Sequence, residues 1–273
     1  MFKGFYNLTS GMLTQGRALD VLSNNIANVS TAGFKADRFT ASTFQEVMWQ
    51  IVGNKNKEYA EIGEQSWITM PRQLYTDYTQ GAFDQTDLPL DFAIEGRGYF
   101  AVEAAAQATE TEENPEDEAE NAGAEETRRL YTRGGSFSLD GEGYLTLPGH
   151  GRVLSAGGQP IQLTTDKLQT DGYGGLFTET WGFLGRIGVF VFEDDETALE
   201  KNELGLFEAS EDAEPTQTAA RIHQGMLERS NVDWVKQMTE MLSTQRAYQS
   251  AAELAKIYDT LMTRITTEIG RLT

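Results

Sequence analysis

Hydrophobic positions recur along this chain in two rhythms, a helical one at both ends and a strand-like one between them. From Ser230 a seam advances at alternating spacings of three and four: Trp234, Gln237, Met241, Thr244, Tyr248, Ala251, Ala255, Tyr258, Met262, Ile265, Ile269 and Leu272. Ten of these twelve positions are apolar or aromatic, which is the 3.5-residue period of a coiled-coil seam and not the period of a strand. Val235, Met238, Leu242, Leu254, Ile257 and Leu261 widen the seam on its flanks. No proline interrupts the stretch, and its first glycine is Gly270, so it predicts one helix of roughly 60 Å. Ser230 and Asp233 have the spacing of a capping box at its start. The N-terminus carries the same rhythm. Phe5, Met12, Leu19 and Ile26 are spaced by sevens, with Leu8, Gln15 and Leu22 between them. Gly4, Gly11 and Gly16 each weaken a helix by about 1 kcal/mol, so this one depends on packing. Two seams at opposite ends of the chain predict that the helices pair. Asn24, Asn25 and Asn28, followed by Ser30, Thr31 and Gly33, mark the helix end and a turn, with amides able to bind freed backbone groups.

The interior reads differently. Val47, Met48, Ile51 and Val52 fit a short helix or a strand equally well. Residues 53–63 read as a loop. Trp67 to Tyr78 reads as extended, ending at a Gln80-Gly81 turn. Beyond Arg129, short alternating runs such as Phe137 to Leu139 and Leu145 to Leu147 are joined by Asp140-Gly141, Pro148-Gly149 and Gly157-Gly158, which predicts antiparallel hairpins. Further strands are expected at Leu176 to Trp181 and Gly185 to Glu193. The fold class is therefore α+β: paired, coiled-coil-like N- and C-terminal helices with an inserted, mainly antiparallel β-domain. The expected divisions are residues 1–35, an extended connector at 36–90, a β-domain at 91–218, and a linker with the long helix at 219–273.

Charge narrows the function classes. The 273 residues carry a formal net charge of −20, which argues against nucleic acid as a partner. Ten acidic and no basic residues fall between Glu103 and Glu126, the composition of a solvated excursion at a loop tip. That run lacks the spacing of a calcium loop. There is no cysteine, so disulfides and thiolate metal sites are absent. No apolar run is long enough to span a bilayer, and no cleavable secretory signal is visible. His150 and His223 have no metal-pair spacing, and we expect them in a turn and a linker. Gly96 and Gly98 lack the third glycine and following helix of a phosphate loop, and read as a turn between strands. Trp49, Trp67, Trp181 and Trp234 read as packing residues, not as a sugar platform. No catalytic residues, metal or cofactor are expected.

Five stretches carry a family resemblance. Asn24, Asn25, Ala27, Asn28, Thr31, Gly33, Phe34 and Lys35 match the pattern N-N-x-A-N-x-x-T-x-G-[FY]-K, with Ala32 where proline is common. Residues 76–102 end in A-I-x-G-x-G-[FY]-F. Tyr131, Thr132, Arg133, Gly135, Phe137, Asp140, Gly143, Tyr144 and Leu145 follow Y-T-R-x-G-x-F…D-x-x-G-Y-L. Gln224 to Asp233 follows Q-G-x-L-E-x-S-N-V-[DN], and a Q-R-A-Y run occupies Gln245, Arg246, Ala247 and Tyr248. Together they cover most of the chain outside 103–127, and they resemble the bacterial flagellar axial proteins, the rod and hook subunits. The resemblance implies a structural subunit of the basal-body rod, outside the cytoplasmic membrane. It would assemble through its terminal helices into a hollow, torque-transmitting axis. The implied partners are identical subunits, neighbouring rod and hook proteins, and the flagellar type III export apparatus. The implied assembly residues are Phe5, Leu8, Met12, Leu19, Leu22, Asn24, Asn25, Ile26, Ala27, Asn28, Thr31, Gly33, Phe34 and Lys35 at one end. At the other they are Asn231, Val232, Asp233, Met241, Gln245, Arg246, Tyr248, Ala255, Tyr258, Met262, Ile265 and Ile269. A hook subunit is the alternative within the family, though 273 residues leave little room for a hook's additional domain. An extracellular glycan-binding or glycan-hydrolysing β-domain with oligomerising ends is the alternative from another class.

Overall fold

The computed structural model describes residues 2–43, 47–52, 59–65, 69–105, 127–163, 165, 168–178, 182–202, 204–210 and 213–270. Three helices lie among them: α1 (Phe2–Ala27), the single turn α2 (Asp195–Ala198) and α3 (Trp234–Gly270). The chain forms two compact units. The first combines 1–28, 36–77 and 232–273; the second combines 29–35 and 78–231.

In the first unit α1 and α3 pack together, and four strands follow α1: β1 (Asp37–Thr43), β2 (Val47–Val52), β3 (Tyr59–Gln65) and β4 (Thr69–Thr76). β1 pairs antiparallel with β4, from Asp37–Thr76 to Thr43–Thr69, and α1 lies against both. β2 pairs antiparallel with β3, from Val47–Gln65 to Val52–Tyr59. The ambiguous run at Val47 is thus a strand. Periodicity could not decide it, but a partner strand does, by satisfying its backbone groups. Residues 59–63, expected in a loop, belong to that partner.

The second unit is built from strands joined by tight turns. They are β5 (Phe83–Gln85), β6 (Phe92–Glu95), β7 (Tyr99–Ala105), β8 (Thr127–Thr132), β9 (Ser138–Leu139), β10 (Leu145–Leu147), β11 (Gly151–Val153) and β12 (Gln169–Thr170). There follow β13 (Gly175–Thr178), β14 (Gly182–Arg186), β15 (Val189–Val191), β16 (Leu199–Lys201), β17 (Phe207–Ala209), β18 (Thr216–Gln217), β19 (Arg221–Gln224) and β20 (Met226–Glu228). The main sheet runs β16–β17–β8–β7–β11–β10–β9, with β15 also on β7 and β18 on β15. Smaller sheets are β12–β13–β14, β19–β6 and β20–β5. The pairings are antiparallel.

β7 organises the core because both of its faces are covered. Strand alternation sends Phe100 into one cluster, with Phe92, Phe137, Leu145, Leu176 and Ile187. Tyr99 and Ala101 point into the other, with Tyr131, Leu154, Phe192 and Phe207. Tyr131 and Phe192 meet edge to face at 5.0 Å between ring centroids. β7 and β8 are paired as far as Ala105–Thr127. Most of the acidic run, residues 106–126, lies outside the described residues, as do Trp67, Trp181 and Leu272.

Three local expectations change. The run Gly185 to Glu193 is not one strand. β14 ends at Arg186 on β13, while β15 pairs with β7, and Gly188 intervenes between them. His223 sits in β19 opposite Ala93, with its ring Nε2 3.0 Å from Glu95 Oε2. The cap of α3 is Asp233, not Ser230. The Asp233 carboxylate accepts from the Lys236 amide at 3.1 Å, and its carbonyl receives the first helical bond, from Gln237. A carboxylate directly before the first turn reaches the third free N–H without help from upstream.

Candidate assembly surface

Two contacts fix how the terminal helices meet. The Phe5 ring lies 6.5 Å from that of Tyr258, and the Asn25 amide reaches Gln237 Oε1 at 3.4 Å. Low numbers on α1 meet high numbers on α3, so the pairing is antiparallel over a span of about 30 Å. The seam read from sequence is the face that α1 covers. Gln237, Met241, Thr244, Ala251, Ala255, Tyr258 and Met262 are half-buried, and the flanking apolar residues are exposed. The seam opens at its ends, where Trp234 is 52 % and Ile265 42 % exposed. Tyr248 is also exposed, at 36 %. Ile269 is helical. On α1, Leu8, Met12, Leu19 and Ile26 are half-buried and Leu22 is buried, while Phe5 remains partly open.

The asparagines divide their work. Asn25 is fully buried and holds the first residue of β1 from both sides. Its Nδ2 donates to the Asp37 carbonyl at 2.7 Å, and its Oδ1 accepts from the Asp37 amide at 2.9 Å. That is the hydrogen-bonding pattern of a strand neighbour, made by a side chain at a helix end. Asn28 donates to the carbonyl of Asn24 at 3.0 Å and to its side-chain oxygen at 2.7 Å, closing the last turn. Asn24, Ala27 and Thr31 are exposed.

The remaining motif positions converge inside the second unit. Gly33 has φ +71°, and a Cβ there would collide with the backbone of Arg133 and Gly134. Gly135 is just as constrained, because its Cβ would meet the carbonyl of Phe92. Both glycines are therefore sites where two backbones pass too closely for any side chain. Phe34 and Lys35 are buried. Lys35 Nζ donates to Glu228 Oε1 at 2.6 Å and to the Thr79 carbonyl at 2.8 Å. Arg133 donates to Glu228 Oε2 at 3.2 Å and to the Gly96 carbonyl at 2.7 Å. Glu228 Oε1 also accepts from the Gly81 amide, and its carbonyl accepts from Gly33. The three charged side chains are at most 4 % exposed. Asn231 bonds the Thr79 carbonyl at 3.2 Å, while Val232, also buried, belongs to the first unit. Three stretches distant in sequence thus close one charge cluster.

Sequence reasoning picked Lys35 but missed Glu228, its carboxylate partner, and Arg133, which shares that carboxylate. The available signal was a charged position in each of three matched patterns, basic at Lys35 and Arg133 and acidic at Glu228. Gln245 and Arg246 of the Q-R-A-Y run are exposed on α3, so nothing inside the fold accounts for that motif.

Among the described residues, no three His, Asp or Glu side chains gather as metal ligands. No described helix is long and apolar enough to cross a membrane. Burial pushes the Tyr99 hydroxyl well above the usual tyrosine range, with Asp195 adding to the effect. A cleft beside it is lined by Phe192, Glu193, Asp194, Thr197 and Glu214, and it brings no opposing acid and base together.

Comparison with known proteins assigns both ends. Residues 5–35 match the family described as flagella basal body rod protein, and residues 223–268 match the C-terminal family of flagellar basal body rod FlgEFG proteins. The chain is 32 % identical over 258 residues to the flagellar basal-body rod protein FlgF of Caulobacter vibrioides, covering 93 % of this chain and 92 % of that one. It is 30 % identical over 282 residues to the flagellar hook-basal body complex protein FlhO of Bacillus subtilis, covering 100 % of each. It is 28 % identical over 285 residues to the rod protein FlgG of the same organism, covering 96 % and 97 %. These matches run nearly end to end and include both helical termini, and the chain belongs to the flagellar basal-body rod protein family.

Proposed function

We propose that this chain is a structural subunit of the flagellar basal-body rod and that its terminal helices are the assembly element. The observation that carries the reading is the divided surface of α3. One seam is half-buried where α3 packs on α1, while the flanks stay apolar and open. A helix that met only α1 has no use for those flanks. In this reading α1 and α3 form the axial layer, and the β-rich unit is the part they carry. Identical subunits and neighbouring rod proteins cover the open flanks, and the chain reaches its place through the flagellar export apparatus. Its work is mechanical, transmitting torque along a hollow axis, and needs no cofactor. The test is a labelled, functional copy followed through basal-body purification. The reading expects the label in the basal bodies and loss of motility when the chain is removed. A motile strain lacking the chain would refute it.

A further inference from the structure

The uncovered apolar residues of α3 form two separate ridges. Val235, Met238 and Leu242 are 67 %, 38 % and 45 % exposed; Leu254, Ile257 and Leu261 are 53 %, 56 % and 51 % exposed. With the covered seam taken as heptad positions a and d, the first ridge occupies b and e and the second g and c. They therefore lie on opposite flanks of the seam and at different levels of the helix. Each flank is apolar at one level only. The first continues past Leu242 as Gln245 and Gln249, while the second begins with Glu240 and Ser243 and turns apolar further on.

Single exposed apolar residues are ordinary, but these two ridges match each other. Both have the spacing i, i+3, i+7. A shift of nineteen residues places Val235 on Leu254, Met238 on Ile257 and Leu242 on Leu261, three pairs at once. Two parallel copies side by side in register would instead set the first ridge against Glu240 and Ser243 of the neighbour. A two-fold pairing would use one ridge against itself and leave the other bare. We infer that the two ridges are the halves of one repeating head-to-tail contact between copies of this chain. The Val235–Met238–Leu242 ridge of one copy packs on the Leu254–Ile257–Leu261 ridge of the next, offset along the helix axis by about 28 Å. Such a heterologous contact does not close on itself; it generates an open helical array. The inference rests on the rod-subunit reading and adds which flanks meet, in what orientation and at what offset.

The chain has no cysteine, so disulfide trapping has a clean background. Met238→Cys, Ile257→Cys and the double variant replace the native chain in flagellated cells, and basal bodies are isolated after mild oxidation. The double variant should give a ladder of dimers, trimers and larger species. The two single variants expressed together should stop at dimers, and each alone should stay monomeric. Self-crosslinking of Met238→Cys, crosslinking to a different protein, or no crosslinks in intact basal bodies would each overturn the contact. So would a ladder from Met238→Cys with Ser243→Cys, the in-register pair. Recovery of the unaltered chain in the basal bodies is scored separately, because its absence would defeat the rod reading and not this contact. Should cysteine impair incorporation, a charge pair replaces it. Met238→Lys and Ile257→Glu should each abolish motility, and the double variant should restore it; failure to restore overturns the contact.

Discussion

At the residue scale the matched motifs prove to be sites of close approach and buried charge. Gly33 and Gly135 pass other backbones with no room for Cβ, so Gly33→Ala should destabilise the second unit by at least about 2 kcal/mol in a denaturant titration. Glu228 is the more demanding position. Removing its charge strands Lys35 and Arg133 in a dry site, and losing one side of such a cluster costs about 3–5 kcal/mol. Glu228→Gln should therefore unfold the second unit at much lower denaturant, while a control such as Glu200→Gln, at the exposed position of β16, should not. Acid adds a further test. Backbone donors from Tyr144 and Glu142 hold the Asp140 carboxyl below its ordinary value, and Tyr173 and Gly175 do the same for Asp171. A depressed carboxyl stabilises the fold above its unfolded value, near about 3.9, and that stability is lost as pH falls through the folded value. The melting temperature should thus hold steady from pH 8 to 5 and fall below about pH 4. A melting temperature unchanged at pH 3 would contradict this assignment.

At the element scale, much of the design was legible. The 3.5-residue rhythm located the middle of the half-buried stripe of α3, at Gln237, Met241, Thr244, Ala251, Ala255, Tyr258 and Met262, because a helix in contact with one partner has only one buried stripe. Asp-Gly and Gly-Gly pairs located the turns because the backbone conformations they require are open to few residues. What could not be read was partnership. Val47 to Val52 became a strand only through β3, and Lys35 finds its carboxylate far away in sequence at Glu228, which it shares with Arg133. Asn25 showed the same limit, since the unusual amide was visible but its grip on Asp37 was not. That grip has a measurable value. Asn25→Ala removes two hydrogen bonds to the Asp37 backbone in a buried site, which should cost about 2–3 kcal/mol in the first unit. The β7–β8 hairpin makes a prediction of its own. Its register is fixed up to Ala105–Thr127, so joining these residues through Asn-Gly in place of 106–126 should leave the thermal transition of the second unit within a few degrees.

At the scale of the whole molecule, the chain divides its labour between two units that each interleave distant parts of the sequence. The β-rich unit contains its own core, its own charge cluster and the C-terminal strands β19 and β20. The helical unit contains the open flanks. If the helices are the assembly element, the β-rich unit should survive without α3 and the rod should not. The decisive measurement is therefore a chain ending at Asn231, tested for folding in isolation and for incorporation into basal bodies. The account predicts a cooperative β-type unfolding transition, no truncated chain in purified basal bodies, and no motility. A truncated chain that enters basal bodies and supports swimming would contradict it.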